Sequence, residues 1–444
     1  MATATGHRPI RSEPLSRADL TWLHADTPRS HFIVTSLALL DASLQPDRFR
    51  RLLDNRVWMH PRLMDLAVRG DGVLAGERWV RARHFDLDAH IQHVALPGLG
   101  GPAELARYVS DLAGRPLDMG RPLWEAHTVE GRGIGGALVT RFHHSLGDGP
   151  AMVRMLLSLT DATRGGWKQP YAQPRARRRR ARSVAGRPNP IRLARQAAGA
   201  AGTLARLTLL DRDPETPLRG ELTYLKRVAW SDPIPLDDVK RVARATGTTV
   251  NDVIVSAIAA ALGDVLEARG EPRHGLRIRA MVPVSLRPAN DVETTGNRFS
   301  LVFLELPVGE LEPRERLMRV KIEMDRLKSS LEPAVGWLLV QGLGFLPARL
   351  ERLTSRFYAD KASLVLTNVI GPREPRYIAG SRIRQMTFWE PESGGLGVGV
   401  SIYSYAGKVT IGAISDRNLI ADPSEIAEGA AAAFTALARA VARG

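Results

Sequence analysis

Strand-like runs scattered among helices, on both sides of a basic, proline-broken segment, predict a two-domain protein of the α/β (α+β) class. Three observations carry this reading. The chain has 444 residues, more than one ordinary core fills. Its hydrophobic content of 44% and charged content of 25% are those of a globular chain. Residues 162–210 hold no Asp or Glu and twelve Lys and Arg, and Gly165-Gly166, Pro170, Pro174, Gly186, Pro188 and Pro190 interrupt them. The expected division is therefore a first domain over 1–165, a basic linker over 166–218 and a second domain over 219–444.

Before the linker, Ser16 and Asp19 form a capping-box pattern that opens a short helix to about Ala25. His31–Leu40 reads as a strand, Asp47–Trp58 as an amphipathic helix and Gly101–Ala113 as another helix. Gly136–Phe142 is an apolar strand, and Pro150–Thr160 is apolar at helical spacing. Within the linker, Ile191–Leu210 could form a helix with an alanine-rich face, weakened by Gly199 and Gly202. After it, Leu236–Ala245 and Val250–Arg269 read as helices. Leu276–Val284, Ser300–Leu306 and Ser363–Val369 read as strands, and Leu396–Tyr405 with Lys408–Ser415 as a hairpin turning at Ala406-Gly407. Glu425–Val441 is an alanine-rich terminal helix.

The chain contains no cysteine, which excludes disulfides, thiolate metal sites and a cysteine nucleophile, and fits a reducing cytoplasm. Met1–Ser12 lacks the apolar core of a secretory signal, and no run approaches 18 apolar residues. Contact with an inner membrane or lipid droplet would then be peripheral. The net charge of +15 is concentrated in the linker, where Arg177–Arg180 form a run. That run has three readings: a solvated linker, a contact for an anionic lipid surface, or a site for phosphate or nucleic acid. No nucleic acid is expected, because only Trp167 and Tyr171 lie nearby and no recognition motif accompanies them.

The segment richest in chemistry is His143-His144-Ser145-Leu146-Gly147-Asp148-Gly149, at the turn from the apolar strand to the helix. The four fixed positions of HHxxxDG arise by chance in roughly one chain in a thousand of this length. An imidazole titrates near neutral pH, with an unperturbed pKa of about 6.5. It can take a proton from a hydroxyl or thiol and hand it on within one turnover. Adjacent side chains on an extended segment point to opposite faces, so one of His143 and His144 should face a substrate and the other support it. Gly147 and Gly149 would let the chain turn tightly and bring Asp148 beneath an imidazole or onto an arginine. The rival readings are a buried, hydrogen-bonded histidine pair, or a metal site on His144 and Asp148 at i, i+4. The two glycines oppose a helix there. A serine triad is disfavoured because no G-x-S-x-G elbow occurs, which leaves direct transfer assisted by a general base.

These residues resemble the bacterial wax ester synthase/acyl-CoA:diacylglycerol acyltransferases, within the HHxxxDG superfamily of CoA-dependent acyltransferases and peptide-synthetase condensation domains. Leu15-Ser16 with Asp19 is similar to the family's opening segment, and Pro122-Leu123-Trp124 to its PLW motif. Asn251-Asp252 is similar to its ND motif at a helix start. Val282-Pro283-Val284-Ser285-Leu286-Arg287, Gly296-Asn297 and Thr367-Asn368-Val369-Ile370-Gly371-Pro372 resemble later blocks. The ordered matches run from about residue 15 to Asp416, and their order separates this family from condensation domains. Two departures are Arg29–Val34, where the family often has a Pro-Met-His-Val-Gly-like stretch, and Ile370, where proline is common.

The resemblance implies two chloramphenicol-acetyltransferase-like domains with an active-site tunnel between them. It implies transfer of a fatty acyl group from acyl-CoA, as co-substrate, to a diacylglycerol or long-chain alcohol, with no metal or prosthetic group. His144 would be the general base, with His143 beside it. Asp148 and Gly149 would shape the site, and Asn251 and Asp252 would support it from the second domain. Trp124 is either a tunnel wall or an ordinary core aromatic, Asn251-Asp252 can equally be a plain helix cap, and Asn297 and Asn368 either sit near the site or serve turns. The alternatives are another HHxxxDG transfer, such as condensation on a carrier protein, and a non-catalytic basic protein that binds lipid surfaces.

Overall fold

The computed structural model describes residues 12–69, 76–168, 202–203, 205–286, 299–343, 359–392 and 394–443. The arginine run 177–180, most of the helix expected over 191–210, and Asn297 lie outside these residues. The first half contains β1 (Ser12–Pro14), α1 (Arg17–Ala25), β2 (Ile33–Leu40), α2 (Pro46–Arg56), β3 (Asp65–Val68) and β4 (Arg78–Arg81). It continues with β5 (Ile91–Ala95), α3 (Pro102–Ala113), β6 (Trp124–Glu130), β7 (Gly136–His143) and α4 (Gly149–Ser158). The second half contains β8 (Lys226–Trp230), β9 (Ile234–Pro235), α5 (Leu236–Thr246), α6 (Val250–Glu267), β10 (Ile278–Ser285) and β11 (Phe299–Leu306). Then come α7 (Pro313–Ser329), α8 (Glu332–Leu343), β12 (Leu364–Ile370), β13 (Tyr377–Ile378), β14 (Ser381–Trp389), β15 (Val398–Tyr405), β16 (Lys408–Asp416) and α9 (Ser424–Arg443).

Two mixed sheets organise these elements. The first runs β13-β14-β2-β7-β6-β5, and the second runs β11-β10-β12-β15-β16-β8 with β9 beside β16. The parallel pairs are β5 with β6, β10 with β12, and β12 with β15. β14 comes from the second half of the chain yet pairs with β2, setting Trp389 opposite Thr35. The second half thus contributes two strands, β13 and β14, to the first sheet, and the loop leaving β14 starts beside the first half's residues.

β7 is buried along its whole length because helices cover both faces of its sheet. Leu138 and Phe142 share a core with Met152 and Met155 of α4. The alternate residues Ala137 and Val139 pack with Leu105 and Val109 of α3 and with Trp389. α3 also ties the lobes together, since Ser110 Oγ accepts the Val228 N–H at 3.0 Å. In the second lobe α6 is buried on nearly every side. Its start is a reciprocal cap: Thr249 Oγ1 accepts the Asp252 N–H (3.2 Å) and Asp252 Oδ2 accepts the Thr249 N–H (2.9 Å). The β15–β16 hairpin turns at Ala406 and Gly407, both left-handed with φ of 47° and 75°. Among the described residues no single helix is long and apolar enough to cross a membrane.

Candidate active site

The HHxxxDG segment lies where β7 gives way to α4. The strand ends at His143, a single 3₁₀ turn covers His144–Leu146, and α4 begins at Gly149. Two backbone bonds fix the bend: the His143 N–H donates to Leu123 O (3.0 Å) and the His144 N–H to Phe32 O (2.7 Å). The two rings then part. His143 is buried, and its Nδ1 accepts the Ser145 N–H at 3.1 Å. That assignment places the ring proton on Nε2, which faces Asp26 Oδ2 at 3.5 Å. Asp26 also accepts the Phe32 N–H at Oδ1 (2.5 Å) and has His31 Nδ1 at 3.9 Å. Burial raises the Asp26 pKa, but His143, His31 and the Phe32 N–H outweigh burial and hold the carboxyl well below the usual range.

His144 turns the other way, between Trp22 (centroids 5.1 Å apart) and Phe299 (5.6 Å). Its ring lines a cavity of about 420 Å³. Asp148, Gly149 and Val153 of the first half line it too, as do Pro283, Ser285, Phe299, Thr367, Asn368, Val369 and Ile370 of the second. Glu390, the residue that follows β14, completes the lining with Oε2 3.8 Å from His144 Nε2. Burial alone pushes the Glu390 pKa up to about 7. A second, largely apolar pocket shares Gly149, Val153, Val369 and Glu390 with the first. It runs between α4 and the first sheet, past Phe142, Met152, Leu156, Met386 and Phe388.

Asp148 does not need the turn that its flanking glycines suggested. It is buried and caps α4, with Oδ1 accepting the Ala151 N–H at 3.0 Å. Neither Gly147 nor Gly149 adopts a left-handed φ. Gly147 is extended, and a Cβ there would stand 2.9 Å from the Ala151 Cβ, so close approach to α4 excludes a side chain. Gly149 opens the helix and borders both pockets.

Pro122, Leu123 and Trp124 are buried and line neither cavity. Trp124 stacks on His90 (centroids 4.5 Å apart) and donates Nε1–H to Leu63 O (2.7 Å), so its indole belongs to the first lobe's core. Leu123 acts through its carbonyl, the acceptor for His143. Asn368 lines the main cavity, and its Nδ2 donates to Asn251 Oδ1 at 2.6 Å. Asn251 is therefore one hydrogen bond from the cavity, whereas Asp252 is spent on the α6 cap. Asp26, Trp22 and Glu390 carry no motif in the sequence. Their contacts with the histidine turn, Asp26 to His143 and Trp22 and Glu390 to His144, join segments more than 100 residues apart. Among the described residues no three His, Asp or Glu side chains come together as a metal site.

The site is thus a histidine at a strand end, facing a cavity between two sheet-based lobes, with a buried carboxyl across from it. Comparisons with known proteins identify the family. The family model described as the wax ester synthase/diacylglycerol acyltransferase catalytic domain matches residues 15–254, and the WS/DGAT C-terminal domain matches residues 295–438. A Mycobacterium tuberculosis protein named as a diacylglycerol O-acyltransferase, tgs1, is 31% identical over 383 residues, 80% of each chain. The wax ester synthase/diacylglycerol acyltransferase of Marinobacter aquaeolei VT8 superposes with a TM-score of 0.72 at 22% identity, covering 97% of this chain and 100% of that one. The first condensation domain of the calcium-dependent antibiotic synthetase superposes at 0.63 and 17% identity, covering 97% and 96%. The chain belongs to the wax ester synthase/diacylglycerol acyltransferase family and is an O-acyltransferase.

Proposed function

We propose that the enzyme moves a fatty acyl group from acyl-CoA to a diacylglycerol or long-chain alcohol, with His144 as general base. One observation carries the reading: the His144 ring faces a cavity to which both halves of the chain contribute. Neutral His144 takes the acceptor's hydroxyl proton on Nε2 as the oxygen attacks the thioester carbonyl. A C–O bond forms, the carbonyl oxygen becomes an oxyanion, and its collapse breaks the C–S bond. The imidazolium then returns the proton to the departing thiolate. The oxyanion needs a donor already aimed at it. The Thr367 hydroxyl is buried, lines the cavity and has no hydrogen-bond partner among the described residues, so it is the side chain assigned to that role. His143 orients the turn through Asp26, Asp148 fixes the start of α4, and the Asn251–Asn368 pair holds the cavity's far wall.

The apolar pocket along α4, about 30 Å³, offers the acyl chain a path if it widens around it, and each buried methylene contributes about 0.8 kcal/mol. Both lipid substrates partition into bilayers or droplets. The twelve basic residues between 162 and 210 supply charge for an anionic lipid surface. Incubation with palmitoyl-CoA and either hexadecanol or diolein tests the assignment. Equal amounts of new ester and free CoA are expected with at least one acceptor. CoA release that no lipid acceptor stimulates would reject it.

A further inference from the structure

Glu390 has no place in the transfer chemistry so far, although it stands where both pockets meet. Its strand and loop are clamped on either side. Trp389 is buried and donates Nε1–H to Ala229 O at 3.1 Å. Two residues beyond Glu390, buried Glu392 is bonded to Lys226 Nζ, and its carbonyl accepts from Ser30 Oγ. Ser30 precedes the Phe32 carbonyl that holds His144. The loop is therefore fixed to the same segment that places the imidazole, so the two side chains keep their mutual geometry.

The charges that could compete for this carboxyl are few. His144 faces it from the 3₁₀ turn and Asp148 from the start of α4, across the shared cavity. Tyr403 of β15 lines the apolar pocket with it. Lys226 of β8 is already engaged by Glu392 and by Asp416 of β16 (2.9 Å). His144 is thus the one positively ionisable group directed at Glu390 among the described residues. A carboxylate there sits opposite the nitrogen on which positive charge appears during transfer.

We infer that Glu390 is a positioning residue for the general base: its carboxylate stands opposite His144 Nε2 and stabilises the imidazolium in place once the hydroxyl proton arrives there. Glu390 stays ionised throughout, and the proton passes from hydroxyl to Nε2 to thiolate. The inference rests on His144 being the base. Its consequence is an acid limb set by two groups, because turnover needs neutral His144 and ionised Glu390 together. Burial moves the Glu390 titration to about 7, into the range where such a limb is measurable.

The test compares wild type, Glu390→Gln, Glu390→Asp and His144→Ala by kcat and KM with palmitoyl-CoA and a lipid acceptor, from about pH 5.5 to 9. In wild type the acid limb should steepen toward a two-proton slope. Glu390→Gln should lower kcat at the alkaline plateau about 10- to 100-fold, leave both KM values within about threefold, and reduce the limb to one proton. Glu390→Asp should restore the two-proton limb with a lower kcat, which a purely structural role would not produce. Wild-type kcat and an unchanged limb in Glu390→Gln would overturn the inference. If His144→Ala is inactive while Glu390→Gln behaves as wild type, this inference alone fails. If His144→Ala turns over normally, the assignment of the base fails first.

Discussion

Asp26→Ala is the most informative perturbation outside the cavity, since Asp26 touches no substrate. Its carboxylate serves two donors, the Phe32 N–H at 2.5 Å and the His143 ring at 3.5 Å. A hydrogen bond to a charged acceptor contributes about 1.5–3 kcal/mol. The Asp26 side chain is one quarter exposed, so water replaces part of what is lost. The expected destabilisation is about 2–4 kcal/mol, or roughly 2–4 °C in the unfolding midpoint of a chain this long. The pH dependence has a definite sign. A carboxyl held below its unfolded value stabilises the fold above about pH 4 and loses that contribution as pH falls through its folded pKa. Wild type and variant should therefore begin to converge below about pH 4. The catalytic effect runs through the backbone: Phe32 O accepts the His144 N–H, and a displacement near 1 Å of a reacting group costs about 100-fold. Thermal unfolding between about pH 3 and 8, with kcat at neutral pH, checks both parts. An Asp26→Ala protein with wild-type midpoint and kcat would refute the claim that this carboxylate braces the histidine turn.

Two further outcomes follow from the same geometry. Leu156→Trp should fill the apolar pocket and shift acyl preference toward shorter chains; displacing about two methylenes lowers kcat/KM for palmitoyl-CoA about 10-fold while octanoyl-CoA changes little. An unchanged chain-length profile would place the acyl group elsewhere. Lys226→Met should leave Glu392 and Asp416 buried without their cation and destabilise the fold by about 3–5 kcal/mol. Burial pushes the Glu392 pKa up to about 7 even with Lys226 present. The deficit against wild type should therefore grow as pH rises past 7, where the carboxylate must ionise, and calorimetry across pH reads it.

The parts of the fold legible in the sequence are those whose signal is local. The Ser16 cap, whose Oγ accepts the Asp19 N–H at 3.2 Å, the apolar period of α4 and the Ala406-Gly407 turn each declare themselves within a few residues. The motif marked the strand-to-helix turn for the same reason. β14 stayed hidden because Arg382 and Arg384 interrupt its apolar pattern and its partner β2 lies more than 300 residues earlier. With β14 unplaced, nothing marked Glu390 as a neighbour of His144. The sequence left Trp124 open between cavity wall and core aromatic, and the structure has the second: its N–H finds an acceptor at Leu63 and its ring stacks on His90. The motif's contribution there is a backbone carbonyl, which side-chain identity does not announce.

The central claim is that the His144 imidazole moves the acceptor's proton. The most direct measurement is acceptor-dependent CoA release by a folded His144→Ala protein, against wild type under identical lipid presentation. The expected result is a loss of about 100- to 10,000-fold in kcat with an unfolding midpoint close to wild type. Turnover within about tenfold of wild type would contradict it, because a base contributes about 100- to 10,000-fold.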